Sequence, residues 1–119
     1  MIERGAIMAR KIERRKHKRR QVTWRVNVFT DHGTIEGETK DISPHGVFIS
    51  CEEPLALNEN YRIGIIPPDH QIIDVIGRVI WSDFYGIDEN HTAFGMGVCF
   101  LEIPHNDQDF LDNVVATHP

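Results

Sequence analysis

Residues 72–82 read Ile72-Ile73-Asp74-Val75-Ile76-Gly77-Arg78-Val79-Ile80-Trp81-Ser82, the longest strand-like run in the chain. Successive side chains of a strand point to opposite sides, so one face is predicted to carry Ile73, Val75, Gly77, Val79 and Trp81. A second β-like run, residues 93–100, follows after a loop rich in Gly, Asp and Asn. These two runs are therefore predicted to pair with each other.

Four shorter runs in front of this pair have the same β character. Residues 22–28 alternate strictly, and one face is predicted to hold Val22, Trp24, Val26 and Val28. Residues 34–42, 47–51 and 61–66 follow, separated by segments that contain Gly, Pro and Asp. Six short strands of this kind predict an all-β fold, either a closed or nearly closed antiparallel barrel or a sandwich.

One helix is predicted at the C-terminal end, over residues 105–116. Asn106 is expected to be its N-cap, and acidic side chains follow in the favourable first turn. Apolar residues then recur at helical spacing: Phe110, Leu111, Val114 and Val115. This helix is expected to lie against the barrel.

The length of 119 residues suits one domain with one core. No stretch reaches the roughly 20 apolar residues of a membrane-spanning helix, and the charged N-terminus lacks the apolar centre of a signal peptide. We therefore expect a soluble, cytoplasmic protein. Cys51 and Cys99 could face each other across a sheet, but reduced thiols are the expected state in that compartment.

Charge is distributed very unevenly along the chain. Residues 1–25 contain ten Lys and Arg against two Glu, a net charge of +8, whereas the remainder has a net charge of −13. We divide the chain accordingly into a flexible tail (1–12), a basic arm (13–21), a barrel (22–103) and the C-terminal helix (105–116). A segment this densely positive repels itself and is expected to order on an anionic partner.

Within the arm, Arg15 and Arg19 are four residues apart and directly precede the first strand. They share a face if the segment forms a helical turn, and they can clamp a ligand from two sides if it wraps. Guanidinium groups suit phosphate and also the O6 and N7 edge of guanine. On composition alone, a solvated tail or one that binds nucleic acid without sequence preference explains the arm as well.

The segment Asp41-Ile42-Ser43-Pro44-His45-Gly46 has the composition of a tight turn. The Asp and Ser side chains can bond to nearby backbone amides, Pro44 fixes its own φ, and Gly46 permits a positive φ. The same turn would present a carboxylate that can accept hydrogen bonds from the N1 and N2 donors of guanine. Taken alone, these residues favour a purely structural turn, which would need nothing more.

Together the arm and the turn resemble the PilZ domain family of bacterial cyclic di-GMP receptors. The family's signature is Arg-x-x-x-Arg, a gap of about twenty to thirty residues, and then Asp or Asn-x-Ser-x-x-Gly. Its five positions are filled in order by Arg15, Arg19, Asp41, Ser43 and Gly46. The resemblance covers residues 13–116 and implies a six-stranded antiparallel β-barrel with a C-terminal helix.

The resemblance also implies roles for individual residues. Arg15 and Arg19 would hold phosphates and guanine edges, while Asp41 and Ser43 would contact a guanine, and Gly46 would keep the turn close to it. Arg14 would be an additional cation if two ligand molecules bind, a role for which Arg20 is the alternative. Trp81 occupies a position where some members stack an aromatic ring on the ligand, although its alternation with Val79 suits a core side chain as well.

The sequence does not indicate catalysis or a bound metal. Seven histidines are scattered without the close spacing of zinc ligands, and no phosphate-binding loop is present. We therefore expect a receptor or adaptor that binds cyclic di-GMP without a cofactor and signals to a separate protein, or acts as one half of a dimer. The alternatives are a nucleic-acid-binding barrel and a PilZ-like module that binds only proteins.

Overall fold

The computed structural model describes residues 18–86 and 92–117, and the side chains of residues 83–86 and 92 are not considered. Six strands and one helix make up the fold. The strands are β1 (Arg25–Thr30), β2 (Gly33–Ser43), β3 (Gly46–Cys51), β4 (Asn60–Ile66), β5 (Ile73–Gly86) and β6 (Thr92–Glu102), and the helix is α1 (His105–Ala116). The predicted tail and most of the basic arm lie outside the described residues.

The six strands form a closed antiparallel barrel in the order β1-β2-β3-β6-β5-β4, with β1 pairing with β4 to complete it. The predicted pair of long runs forms the β5–β6 hairpin, whose register runs from Ile76↔Glu102 to Gly86↔Thr92. The pairing of β1 with β4 satisfies the backbone N–H and C=O groups that would be unpaired at the two edges of an open sheet. The all-β barrel expected from the sequence is confirmed, and α1 covers exactly the predicted residues.

The core fills the barrel with one face of each strand. Val26 and Val28 of β1 are fully buried, and the half-buried Val22 and Trp24 in front of them pack against the same core. Of the face predicted for β5, Ile73, Val75, Gly77 and Val79 are buried as expected. Among the described residues, no helix is long and apolar enough to cross a membrane.

The core alternative for Trp81 is wrong, because its side chain is 47% exposed. A β-bulge interrupts the register between Val79, which pairs with Val98, and Trp81, which pairs with Gly97. The extra residue, Ile80, breaks the alternation, so that Ile80 and Trp81 both face outward. The strict inward and outward alternation assumed from the sequence therefore fails at this one point of β5.

The capping residue of α1 differs from the prediction, although the helix itself begins where expected. The N-cap is Pro104, with φ −59° and ψ 141°, and no side chain caps the helix. The carbonyl of Pro104 accepts hydrogen bonds from the amides of Asp107 and Gln108, both at 3.0 Å. Because proline fixes its own φ and needs no donor at a helix start, Pro104 is the cap, two residues before the expected cap at Asn106.

Side chains at the middle of α1 anchor it to the barrel. Phe110 stacks face to face on His70, with ring centroids 3.7 Å apart, and lies 6.2 Å from the Trp24 ring. The buried Asp107 lies 3.4 Å from His70 Nε2. Leu111 and Val115 complete the buried face of the helix.

The two cysteines are free, and the juxtaposition across a sheet that the sequence allowed does not occur. Cys99 pairs with Gly46 at the start of β3, whereas Cys51 ends that strand five residues later. Five residues of strand separate them by about 16 Å, well beyond the reach of a disulfide. Burial, with a smaller contribution from Glu53, raises the pKa of the Cys51 thiol to about 11.

We expect this thiol to make the protein less stable in alkaline solution. Its pKa in the folded state lies above 9.0, the pKa of an unperturbed thiol, so the protonated thiol's contribution to stability is complete below pH 9 and is lost as pH rises through 11. The expected loss in the free energy of unfolding is on the order of 2 kcal/mol. Chemical denaturation from pH 8 to 10.5 should show a steeper decline for the wild type than for Cys51→Val. Cys99→Ala should keep the wild-type slope, and parallel decline in all three proteins would refute the assignment.

Candidate functional site

The turn singled out in the sequence is a two-residue hairpin loop between β2 and β3. Ser43 pairs with Gly46, and Pro44 and His45 connect them. The Ser43 hydroxyl accepts a hydrogen bond from the His45 amide at 3.2 Å and donates to the Gly46 carbonyl at 3.4 Å. Ser43 is 4% exposed, so its described contacts hold the turn together.

The sequence predicted that Gly46 provides a positive φ, and this is wrong. Gly46 is required because the backbones of β3 and β6 approach each other closely at this position. Of the glycines in the described residues, only Gly33 has a positive φ. A Cβ atom at Gly46 would lie 2.4 Å from the carbonyl oxygen of Val98 on the neighbouring strand β6. The absence of a side chain thus lets β3 and β6 pair tightly beside the turn.

Asp41 faces outward because a second bulge lies just before it. The register of β2 with β3 shifts between Thr39, which pairs with Ile49, and Asp41, which pairs with Phe48. Thr39 and Ile42 are buried, while Lys40 and Asp41 between them point away from the core. This is the same two-residue outward step that occurs at Trp81, and bulges commonly redirect side chains at binding sites.

The two bulges bring their outward side chains into one row across four strands. Asp41 of β2 pairs with Phe48 of β3, Phe48 pairs with Gly97 of β6, and Gly97 pairs with Trp81 of β5. Since Gly97 has no side chain, the rings of Phe48 and Trp81 meet above it, with centroids 5.4 Å apart and planes inclined by 43°. The row forms an aromatic platform with a carboxylate at one end.

Arg19 completes this end of the row. Its Nη1 lies 3.2 Å from Oδ1 of Asp41, in a pair whose side chains are 49% and 30% exposed. That Oδ1 atom is itself buried and forms no hydrogen bond of good geometry in the described part of the chain. A buried carboxylate oxygen without a hydrogen bond carries a desolvation cost that a well-placed donor would remove.

Arg20 faces the other way and has structural partners. Its backbone exchanges two hydrogen bonds with Ile42, both 2.9 Å, which fixes the root of the arm beside β2. Its Nη1 donates to the carbonyl of Val114 in α1 at 3.1 Å. These contacts do not favour Arg20 as the additional ligand cation that the sequence left open.

Not every predicted site residue can be located. Arg14 and Arg15 lie outside the described residues. Arg19, Asp41 and Trp81 are brought to one face, whereas Ser43 and Gly46 lie in the backbone of the adjacent turn. Phe48 was not identified from the sequence, although a large aromatic side chain at an outward position between two buried residues was a usable signal.

Two cavities of the protein lie away from the aromatic platform. A cavity of about 400 Å³ lies beside the Arg62–Asp74 ion pair, and another of about 380 Å³ lies between the β1–β2 hairpin and the segment 53–55. Neither cavity is lined by a residue of the aromatic platform. In the part of the chain described here, no group of three or more His, Cys, Asp or Glu is arranged to hold a metal ion.

Comparison with known proteins adds a family and a fold. The family model of the PilZ domain matches residues 13–116. No curated protein sequence matches the chain significantly. Among solved structures, the PilZ domain with c-di-GMP of YcgR from Escherichia coli superposes with a TM-score of 0.72 at 15% identity, over 87% of this chain and 90% of that one.

Two longer proteins contain a similar barrel. The Bacillus subtilis inhibitor of motility (MotI/DgrA) gives a TM-score of 0.68 at 19% identity, over 87% of this chain and 49% of that one. MrkH from K. pneumonia in its apo state gives 0.71 at 16% identity, over 84% and 48%. The chain therefore spans about half the length of these two proteins. At such identities the likeness establishes the shared fold.

Proposed function

The chain belongs to the PilZ domain family, and from this premise we propose that it binds cyclic di-GMP on the outer face of β2, β3, β6 and β5. The observation that carries the proposal is the row that joins the Arg19–Asp41 ion pair to the Phe48–Trp81 platform. Cyclic di-GMP offers two guanines and two phosphates. This face offers a cation, a carboxylate acceptor and stacking rings for those groups.

Binding would exchange the partners of the ion pair rather than simply break it. The Arg19 guanidinium would turn to a phosphate or to the O6 and N7 edge of guanine, with which it can form two parallel hydrogen bonds. The released Asp41 carboxylate would accept from the N1 and N2 donors of guanine. Its buried Oδ1 would thereby gain the hydrogen bonds that it does not have in the described structure.

The aromatic platform supports the same ligand. Trp81 is 47% exposed, and Phe48 supports one side of its ring. Stacking of a base on an aromatic side chain contributes roughly 1–3 kcal/mol. A guanine that stacks on Trp81 and bonds to Asp41 would be recognised by both its face and its edge.

The other motif residues are assigned from the family signature. Arg15 would join Arg19 on the phosphates, Arg14 would add charge for a second ligand molecule, and Ser43 and Gly46 would set the position of the turn. Ordering the arm on the ligand would move the N-terminal segment relative to the acidic barrel. We propose that this change is passed to a separate protein partner in the cytoplasm, so that the protein is a receptor or adaptor and not an enzyme.

Calorimetric titration tests the ligand. Cyclic di-GMP, GMP and a random oligonucleotide would be compared on wild type, Trp81→Ala and Leu101→Ala. Leu101 is a matched control, because it is 48% exposed and lies on β6 outside the platform. We expect saturable binding of cyclic di-GMP, with affinity reduced by about tenfold or more in Trp81→Ala and unchanged in Leu101→Ala.

The competing functions give different results in this titration. A nucleic-acid-binding barrel would bind the oligonucleotide with an affinity that falls steeply with salt, because counterion release dominates such binding. A module that binds only proteins would bind none of the three ligands. Either outcome, or equal affinities of Trp81→Ala and Leu101→Ala, would overturn the proposed site.

A further inference from the structure

Helix α1 is bonded to both halves of the proposed site. The side chain of Arg20, from the root of the arm, donates to the carbonyl of Val114 at 3.1 Å. The side chain of Gln108 donates to the carbonyl of Pro44, in the turn, also at 3.1 Å. The arm and the turn are thus connected through the helix as well as directly.

The contact with Arg20 supplies a positive charge that the last turn of α1 does not contain. The last turn of the helix contains no basic residue, although its unpaired carbonyls carry partial negative charge. The Thr117 hydroxyl also donates to Val114, but it is neutral. Arg20 therefore provides the cation for the C-terminal end of α1 from a distant part of the sequence.

The backbone of Arg20 is fixed by the same elements that form the site. Its amide and carbonyl both bond to Ile42, which follows Asp41 directly, and Arg19 precedes it in the chain. A ligand that engages Arg19 and Asp41 would restrain both chain segments on which Arg20 depends. The guanidinium would then be held more firmly against the helix.

We propose that Arg20 is a positioning residue that couples the ligand site to the C-terminal turn of α1. This inference rests on the proposed binding of cyclic di-GMP. The ligand would stabilise the last helical turn through Arg20, and a protein that binds or displaces α1 would change ligand affinity in return, because coupling between two sites is reciprocal. The C-terminal end of α1 is then the surface that reports ligand occupancy.

Hydrogen exchange of the amides at residues 114–117 tests the coupling. The intact protein would be measured with and without saturating cyclic di-GMP, as wild type, Arg20→Gln, Arg20→Lys and Arg25→Gln. Arg25 is a matched cation on β1, with a 77% exposed side chain 4.0 Å from Glu36. We expect the ligand to slow exchange by about fivefold in wild type and Arg25→Gln, by less in Arg20→Lys, and not at all in Arg20→Gln.

The results also separate this inference from the function on which it rests. An equal slowing in Arg20→Gln that still binds the ligand would overturn the coupling, while leaving the receptor assignment intact. Absence of binding by the wild type would overturn the function itself. Identical exchange of the ligand-free wild type and Arg20→Gln would show that Arg20 does not stabilise the helix end, whatever the ligand does.

Discussion

Replacing Arg19 with alanine is expected to weaken cyclic di-GMP binding by about 100-fold. The contact of the guanidinium with the ligand is charge-assisted, and a hydrogen bond to a charged group contributes about 1.5–3 kcal/mol. Loss of the cation also leaves the Asp41 carboxylate without its 3.2 Å partner, facing the phosphates of the ligand. A loss of about 2.7 kcal/mol corresponds to this 100-fold change in affinity. Calorimetry at fixed salt measures it directly.

Two further variants show which property of Arg19 matters. Arg19→Lys keeps the charge but not the planar donor pair, so we expect it to remain weak for cyclic di-GMP. Arg25→Ala removes an equivalent charge away from the platform and should bind normally. Because Arg19 is half exposed and pairs only with Asp41 among the described residues, its variants should unfold at nearly the wild-type temperature. Affinity within threefold of wild type for Arg19→Ala would contradict the assignment of Arg19.

The sequence predicted those features of the fold that depend on local patterning. Alternation, β-like composition and turn residues together located all six strands to within a few residues. The Pro44 and Gly46 turn was located for the same local reason. The pairing of Arg19 with Asp41 was not predicted; the family signature indicated only that both residues belong to one site.

The features that escaped prediction are those set by tertiary pairing. The bulges beside Asp41 and Trp81 each add one residue to a strand, and no sequence rule indicated that the extra residues would be Lys40 and Ile80. Each of these two bulges reverses the expected direction of the next side chain, which is why the exposure of Trp81 was left undecided. The requirement for Gly46 depends likewise on Val98, more than fifty residues away in the chain.

The same bulges explain why a rigid barrel can present this site. A regular strand would place Trp81 in phase with Val79, which is fully buried, and the ring would have no access to ligand. One inserted residue exposes the ring without removing β5 from the core. The candidate binding groups thus lie on paired strands, whose backbone geometry is better fixed than that of a loop.

Replacing Gly46 with alanine is expected to cause a large loss of stability, at least about 3 kcal/mol. The new Cβ would lie 2.4 Å from the backbone oxygen of Val98, and a backbone atom cannot move aside as a flexible side chain can. Strands β3 and β6 would have to separate next to the turn, at the end of their shared register. Such overpacking costs more than a typical surface substitution and is a sizeable part of a domain's total stability.

Gly97 provides the matched control for this prediction, because it lies on β6 in the same strand pair. A Cβ at Gly97 would meet the Cβ of Trp81 at 3.5 Å, an ordinary contact, so Gly97→Ala should lose less than about 1 kcal/mol. Urea denaturation of the two variants and the wild type measures the difference. Equal stabilities of Gly46→Ala and Gly97→Ala would mean that the turn has room for a side chain. The glycine of the signature would then have to be explained by the ligand rather than by the pairing of β3 with β6.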